Sequence, residues 1–235
     1  MAKARHSVGW WVGRILLALV LFVLLWNLWI FLHVWWWRDH NPDVTAFMEE
    51  GLARLQQEDP EAELHHKWVP YGQISPNLKR ALVASEDAKF LDHDGFDWEG
   101  IQVAWEKNLK KGRIVAGGST ISQQLAKNLF LSSGRTPWRK TEEAVITVML
   151  EHLLDKRRIF EIYLNVIEWG NGVFGADAAA RHYYNTSAAN LGTGQAAKLA
   201  AMVPNPRYYD DHRSDRKLLR KAAIIQRRLP YADIP

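Results

Sequence analysis

The run Glu86-Asp87-Ala88-Lys89-Phe90-Leu91-Asp92-His93-Asp94-Gly95 sets two adjacent carboxylates ahead of an aromatic ring, a histidine and a glycine. Its upstream flank reads as a helix. Ser75-Pro76 is a start signal, a capping hydroxyl followed by proline at the first helical position. Leu78, Ala81, Leu82 and Ser85 then recur at three- and four-residue intervals, which puts Glu86 near that helix's C-terminal end. Downstream, Asp97–Leu109 forms a second helix with Ile101, Ala104, Trp105 and Leu109 on one face. In isolation, Glu-Asp at a helix end is a solvated pair, or Asp87 caps the next turn. Phe90, His93 and Gly95 in register point instead to a functional site.

Helical spacing continues beyond this run. Lys110–Gly118 is basic and glycine-punctuated, as in a mobile loop, and Ser119 is the expected cap of a Gln123–Phe130 helix. Pro137 opens a long helix through Leu154, and Asp155–Trp169 makes another with Ile159, Ile162, Tyr163 and Val166 as its buried stripe. Ala176–Tyr184, Thr193–Met202 and Arg216–Leu229 supply three more, and strand signals are sparse. The expected fold class is mainly α, a single helical domain over residues 65–235. Residues 35–64 read as a juxtamembrane connector, helical around Val44–Gln57 and broken at Pro60.

The N-terminal region reads as a membrane anchor. Between Ile15 and Val34 the only polar side chains are Asn27 and His33. Twenty helical residues span roughly 30 Å, the thickness of a bilayer's hydrocarbon core. Trp10 and Trp11 precede the run, and Trp35, Trp36 and Trp37 follow it, as interfacial belts do. Lys3, Arg5 and Arg14 lie on the N-terminal side and no acid occurs before Asp39. The positive-inside rule therefore puts residues 1–14 in the cytoplasm, a transmembrane helix at 15–34 and the domain outside. The run is longer than a signal peptide's apolar region and lacks a small-residue cleavage site. Of 30 basic residues three precede Arg38, so 27 face all 26 acids in the outer part. That balance gives no reason to expect nucleic acid as a partner. Cysteine is absent, which suits an extracytoplasmic domain.

Three segments together carry the chemistry. A sugar hydroxyl that attacks an anomeric carbon needs a base within hydrogen-bond reach, and Glu86 is the candidate. In Gly118-Ser119-Thr120-Ile121-Ser122-Gln123-Gln124-Leu125-Ala126-Lys127-Asn128, Gln123 and Lys127 share one helix face, as do Gln124 and Asn128. Ser119 and Thr120 sit at that helix's N-terminus, where backbone amides favour anions, and side-chain amides with a lysine suit N-acetyl sugars and phosphates. Arg139-Lys140-Thr141-Glu142-Glu143 places two cations three and four residues from Glu143. On an exposed helix such pairs contribute only a few tenths of a kcal/mol. Here the helix continues as Ala144–Leu150, apolar all round, so the expected position is central, with its first charges lining a cleft where they neutralise a departing pyrophosphate.

These segments resemble the first three motifs of the peptidoglycan glycosyltransferase family, glycosyltransferase family 51, the transglycosylase domain type of class A penicillin-binding proteins. Lys156–Asn165, ending at Gly170, resembles the fourth motif, with Phe160 where leucine is usual. Gly175–Tyr184 resembles the fifth, with Tyr184 where phenylalanine is common, and the alanine-rich helix ending Met202-Val203-Pro204-Asn205-Pro206 follows the same pattern. The resemblance covers about residues 65–210. The penicillin-binding signature order is absent, since no Ser-x-x-Lys is followed by Ser-x-Asn and Lys-Thr-Gly, which implies the monofunctional, biosynthetic branch.

The resemblance implies a lysozyme-like helical fold and an inverting transferase that polymerises lipid II into β-1,4-linked glycan with release of undecaprenyl diphosphate. By this analogy Glu86 is the base, and Glu143 holds the cations or a divalent metal in place. The implied substrate-binding set is Asp87, Phe90, His93, Ser119, Thr120, Gln123, Gln124, Lys127, Asn128, Arg139 and Lys140. No metal ligand is assigned with certainty, no organic cofactor is expected, and Mg2+ or Mn2+ near the pyrophosphate is the one cofactor implied. Implied partners are lipid II, the lipid-linked glycan chain, the inner-membrane bilayer and proteins of cell-wall synthesis or division. Trp98, Ile101 and Trp105 with Lys107, Lys110 and Lys111 form either a membrane-approach surface or a core-facing helix. The rival readings are a lytic, lysozyme-like glycosidase, which has no use for the cation cluster, and a non-catalytic cell-wall scaffold.

Overall fold

The computed structural model describes residues 8–113, 117–134 and 136–235. The elements run α1 (Val8–Trp36), α2 (Ala46–Leu55), β1 (His65–His66), α3 (Pro76–Glu86), α4 (Trp98–Lys111), α5 (Ile121–Phe130) and α6 (Pro137–Leu153). They continue with α7 (Lys156–Val166), β2 (Glu168–Gly170), β3 (Val173–Phe174), α8 (Ala176–Tyr184), α9 (Thr193–Met202), α10 (Pro206–Asp211) and α11 (Arg216–Arg228). The mainly α expectation holds. The short sheet, ordered β1-β3-β2, and α10 are additions that periodicity did not show.

The core gathers around α7. Ile159, Phe160, Ile162, Tyr163 and Val166 are fully buried, each contributing about 1.5–3 kcal/mol relative to exposure. Asp155 caps this helix by accepting from the Arg158 amide at 2.7 Å. The helix ends at Val166 rather than running to Trp169, because Glu168–Gly170 turns into an antiparallel pairing with β3. Gly175 sits between that strand and α8 at φ +84, where an added Cβ would lie 2.6 Å from the Asn165 carbonyl oxygen. Asn165 and Glu161 of α7 hold the segment before α3. The Asn165 amide brackets Val69 with bonds of 2.9 and 3.0 Å, and Glu161 accepts from the Tyr71 amide at 2.8 Å.

The region expected as a connector is part of the domain. Thr45 caps α2, Met48 is buried, and Arg54 of α2 pairs with the buried Glu168 carboxylate at 3.1 Å. Helix α2 thus packs against α5 and the segment after α7, so the packed body begins before residue 65.

Helix α1 is long and apolar enough to cross a membrane, with mean hydropathy 2.8 and 6% of its apolar window buried. It extends beyond 15–34 at both ends, and residues 1–7, which hold Lys3 and Arg5, lie outside the described residues. Its C-terminal end is docked onto the domain. Ile30 and Val34 are buried, and Trp37, expected in the outer belt, packs on Phe130 with ring centres 5.2 Å apart. Arg158 donates to the Trp37 carbonyl at 2.8 Å and to the Asn41 side chain at 2.9 Å.

Helices α6 and α4 differ from expectation. Helix α6 is not enclosed all round: Val145 is 41% and Val148 44% exposed, and Val145 shares a cavity with Phe22, Val23 and Trp26 of α1. Its Glu142 carboxylate accepts from the Trp26 indole at 2.7 Å. Helix α4 runs on to Lys111, into the segment expected as loop, before Gly112 stops it in the left-handed region; residues 114–116 of that segment lie outside the described residues. Trp98 and Trp105 of α4 are 72% and 65% exposed, so this face is not a core face.

Gly175→Ala forces both a strained φ and a backbone collision, and should cost about 2 kcal/mol or more. Thermal unfolding of the detergent-solubilised chain measures it; an unchanged Tm would contradict this account of the α7–α8 junction.

Candidate active site

Helix α3 delivers Glu86 as its last residue, capped at the other end by Ser75. The Glu86 side chain is 10% exposed. Ser85 Oγ donates to its Oε1 at 2.8 Å and Gln124 Nε2 donates to its Oε2 at 3.1 Å. The Lys221 ammonium of α11 lies 3.6 Å from Oε1. Gln124 is itself oriented, because Tyr163 donates its hydroxyl to the amide oxygen at 2.9 Å. Burial first, then the Glu86 and Asp87 charges, hold the Tyr163 hydroxyl well above the ordinary tyrosine range. It therefore stays protonated and remains a donor at neutral pH.

Asp87 turns away from Glu86 into the protein. Its carboxylate accepts from His93 Nε2 at 3.0 Å and from the Ile121 amide at 3.0 Å, at the first turn of α5. The Gly95 amide donates to His93 Nδ1 at 3.1 Å, which leaves Nε2 as the donor. Gly95 has φ +92 and an added Cβ would meet Thr147 at 2.7 Å, which explains the glycine. Phe90 is fully buried against Phe160 and Lys156. Lys156 also donates to the His93 carbonyl at 2.5 Å and pairs with Glu151 at 2.8 Å. Asp87, Phe90 and His93, expected to bind substrate, are thus enclosed groups that shape the loop behind Glu86.

Helix α5 is capped by Thr120, one residue past the expected Ser119, in a reciprocal box with Gln123. Thr120 is buried and donates to the Gly95 carbonyl at 2.7 Å, so it too is structural. Gln123 uses its side-chain oxygen on the Thr120 amide at 3.0 Å. It still borders a cavity of about 230 Å³ with Ser119, Lys140, Ile101 and Trp105. On the other face, Gln124, Lys127 and Asn128 border a cavity of about 320 Å³ with Glu168, Asn205 and Arg207. The Lys127 ammonium lies 5.1 Å above the Phe47 ring, and Asn128 bonds the Gln124 carbonyl at 2.7 Å.

The third group stands at the start of α6. Glu143 is buried, with a side chain 4% exposed, and receives Arg139 Nη1 at 3.2 Å and the Lys140 ammonium. Lys140 also reaches Ser119 Oγ at 3.5 Å, which joins this group to the segment leading into α5. Arg139 Nε is buried and has no hydrogen-bond partner among the described residues. An unpartnered guanidinium N–H beside a half-exposed lysine favours an anionic oxygen. A divalent cation fits poorly here. Both Glu143 oxygens already accept from cations, and no group of three or more His, Cys, Asp or Glu side chains is placed to hold a metal among the described residues.

Glu86 and the Arg139–Lys140–Glu143 group are therefore held by the same short helix and the loop before it. The family model described as Transglycosylase matches residues 52–229. The chain belongs to the transglycosylase family. Among similar relatives, the transglycosylase of Chromobacterium violaceum, named biosynthetic peptidoglycan transglycosylase, is 72% identical over 222 residues, covering 94% of this chain and 97% of its own. Relatives of the same name from Laribacter hongkongensis and Methylobacillus flagellatus are 71% and 68% identical, each covering 96% of this chain and 99% and 97% of their own. The family match begins inside α2, in keeping with the docking of that helix. Lys221, which approaches Glu86 from near the end of the transglycosylase domain, escaped sequence reasoning. Its helix showed only amphipathic spacing, and nothing local marks one lysine among the several basic residues of Arg216–Arg228.

The two adjacent carboxylates should separate cleanly by measurement. Asp87→Ala removes a buried acceptor from an imidazole and an amide, at a cost of about 3 kcal/mol, or roughly 6–12 °C in Tm for a domain of this size. Glu86→Gln should stay within about 1 kcal/mol of the parent. Equal losses in a thermal melt would refute this division.

Proposed function

We propose that this transglycosylase polymerises lipid II into β-1,4-linked glycan strands, releasing undecaprenyl diphosphate. The coarse activity, a glycosyltransferase acting on peptidoglycan in cell-wall synthesis, follows from the family. The observation that carries the finer reading is the buried Glu143 carboxylate. It holds two cations at the head of α6, while Arg139 keeps one buried N–H unpartnered.

In this reading Glu86 accepts the proton of the acceptor's 4-hydroxyl while that oxygen attacks C1 of the lipid-linked donor. The C1–O bond to phosphate breaks, its electron pair leaves on the pyrophosphate, and the α linkage is inverted to β. Arg139 and Lys140, with Lys127 on α5, offset the charge that develops on the leaving group. Gln124, which bonds Glu86, and Asn128 border a cavity of about 320 Å³ and suit N-acetyl sugar recognition. A hydrolase acting on finished glycan has no pyrophosphate and so no use for these cations. A scaffold has no use for a carboxylate held by two hydrogen-bond donors and an ammonium.

The anchor fits this chemistry, because the substrates are lipid-borne. The proposed site is the inner membrane, with the N-terminus cytoplasmic and the domain outside, supported by the basic residues before α1 and the absence of acids there. Exposed Trp98 and Trp105, with Lys107, Lys110 and Lys111 on the same helix, suit a surface that rests on the bilayer.

Purified protein should make polymer from labelled lipid II and release nothing from finished peptidoglycan. Glu86→Gln should lower turnover by roughly 10²- to 10⁴-fold, the usual worth of a general base. Lys140→Ala should lower kcat by roughly 10- to 100-fold with Tm nearly unchanged. Fragments from finished wall, or full activity in Glu86→Gln, would overturn the reading.

A further inference from the structure

Resting on the reading of Glu86 as the base, we propose that Lys221 is a positioning residue that fixes which oxygen of Glu86 takes the proton. An ionised carboxylate offers about four lone-pair directions. Oε1 faces Ser85 Oγ at 2.8 Å and the Lys221 ammonium at 3.6 Å, and Oε2 faces Gln124 Nε2 at 3.1 Å. The Ser85 hydrogen bond and the Lys221 charge both engage Oε1, and Gln124 alone engages Oε2, which leaves Oε2 as the oxygen with a free direction for a sugar hydroxyl. Without Lys221 the carboxylate keeps only the two neutral donors and can rotate about its last bond. The two oxygens then exchange roles, and the productive geometry is populated for a smaller share of the time.

The placement of Lys221 is built into the fold. Leu218, Ala222 and Ile225 of α11 are buried, and they fix the helix's rotation against α9 and α3. Asp215 caps the helix, accepting from the Lys217 and Leu218 amides at 2.7 and 3.1 Å. Lys221 follows Leu218 by three residues and is therefore carried to the α3 side, where its side chain is 38% exposed and bordered by Glu86. A partly exposed ion pair adds little to stability, so its removal should register in turnover rather than in folding.

The test uses the full chain in detergent with labelled lipid II, comparing Lys221→Met, Lys221→Arg and Glu86→Gln. Lys221→Met should lower kcat roughly tenfold with KM changed by less than about twofold and Tm unchanged. Lys221→Arg, which keeps the charge, should restore most of kcat. A Lys221→Met enzyme with parental kcat overturns the proposal. So does a parallel loss of kcat and Tm, which would make Lys221 merely structural, or a rise in KM alone, which would make it a substrate contact. An active Glu86→Gln would instead overturn the underlying base assignment, whatever Lys221 does.

Discussion

The buried carboxylate of Asp87 joins three pieces of chain on which the site depends. It takes the first-turn amide of α5 and the imidazole of His93, and it directly follows Glu86 at the end of α3. Because α5 begins at that contact, its direction and rotation are fixed relative to α3. Gln124 on the next turn then reaches Glu86, and Ser119 just before the helix reaches Lys140. A buried acceptor with no partners would be costly, so the three pieces are held in one arrangement. Gly95 and Lys156 close the same loop from below, one by backbone shape and the other by charge.

Within that frame the two charged groups do different things. Glu86 is edged by two neutral donors and one more distant ammonium, and its side chain stays 10% exposed. Glu143 is saturated by cations and buried, so it is suited to holding Arg139 and Lys140 rather than to moving a proton. Among the described residues the start of α6 carries more donors than acceptors, seen in the unpartnered Arg139 Nε, and the proposed pyrophosphate is the anion that would suit it.

The apolar helix α1 is coupled to the same parts. Trp26 of α1 bonds Glu142, the neighbour of Glu143, and Arg158 of α7 takes the Trp37 carbonyl just past the end of α1. These contacts and the packing of Trp37 on Phe130 tie the end of the apolar helix to α5, α6 and α7. On the proposed reading, a lipid-borne substrate would be met at a defined height, which would lower the entropic cost of bringing it to Glu86.

Several features were legible in the sequence because they depend on local rules. The Ser75-Pro76 start, the apolar length of α1, the stripe of α7 and the residues of the two charged groups follow from capping, hydropathy and helical period. What each charged or polar residue does was not legible, because that depends on which way a side chain points. Asp87, Phe90, His93 and Thr120 stood in the sequence as site residues, and packing turned them inward as its framework. The start of the domain before residue 65 and the exposed face of α6 were likewise settled by what those helices dock against. Lys221 lies far from Glu86 in the chain, and only the packing of α11 on α3 and α9 brings its charge to the carboxylate. Local sequence determines elements and the chemical kinds of groups available; long-range burial decides which of them meet.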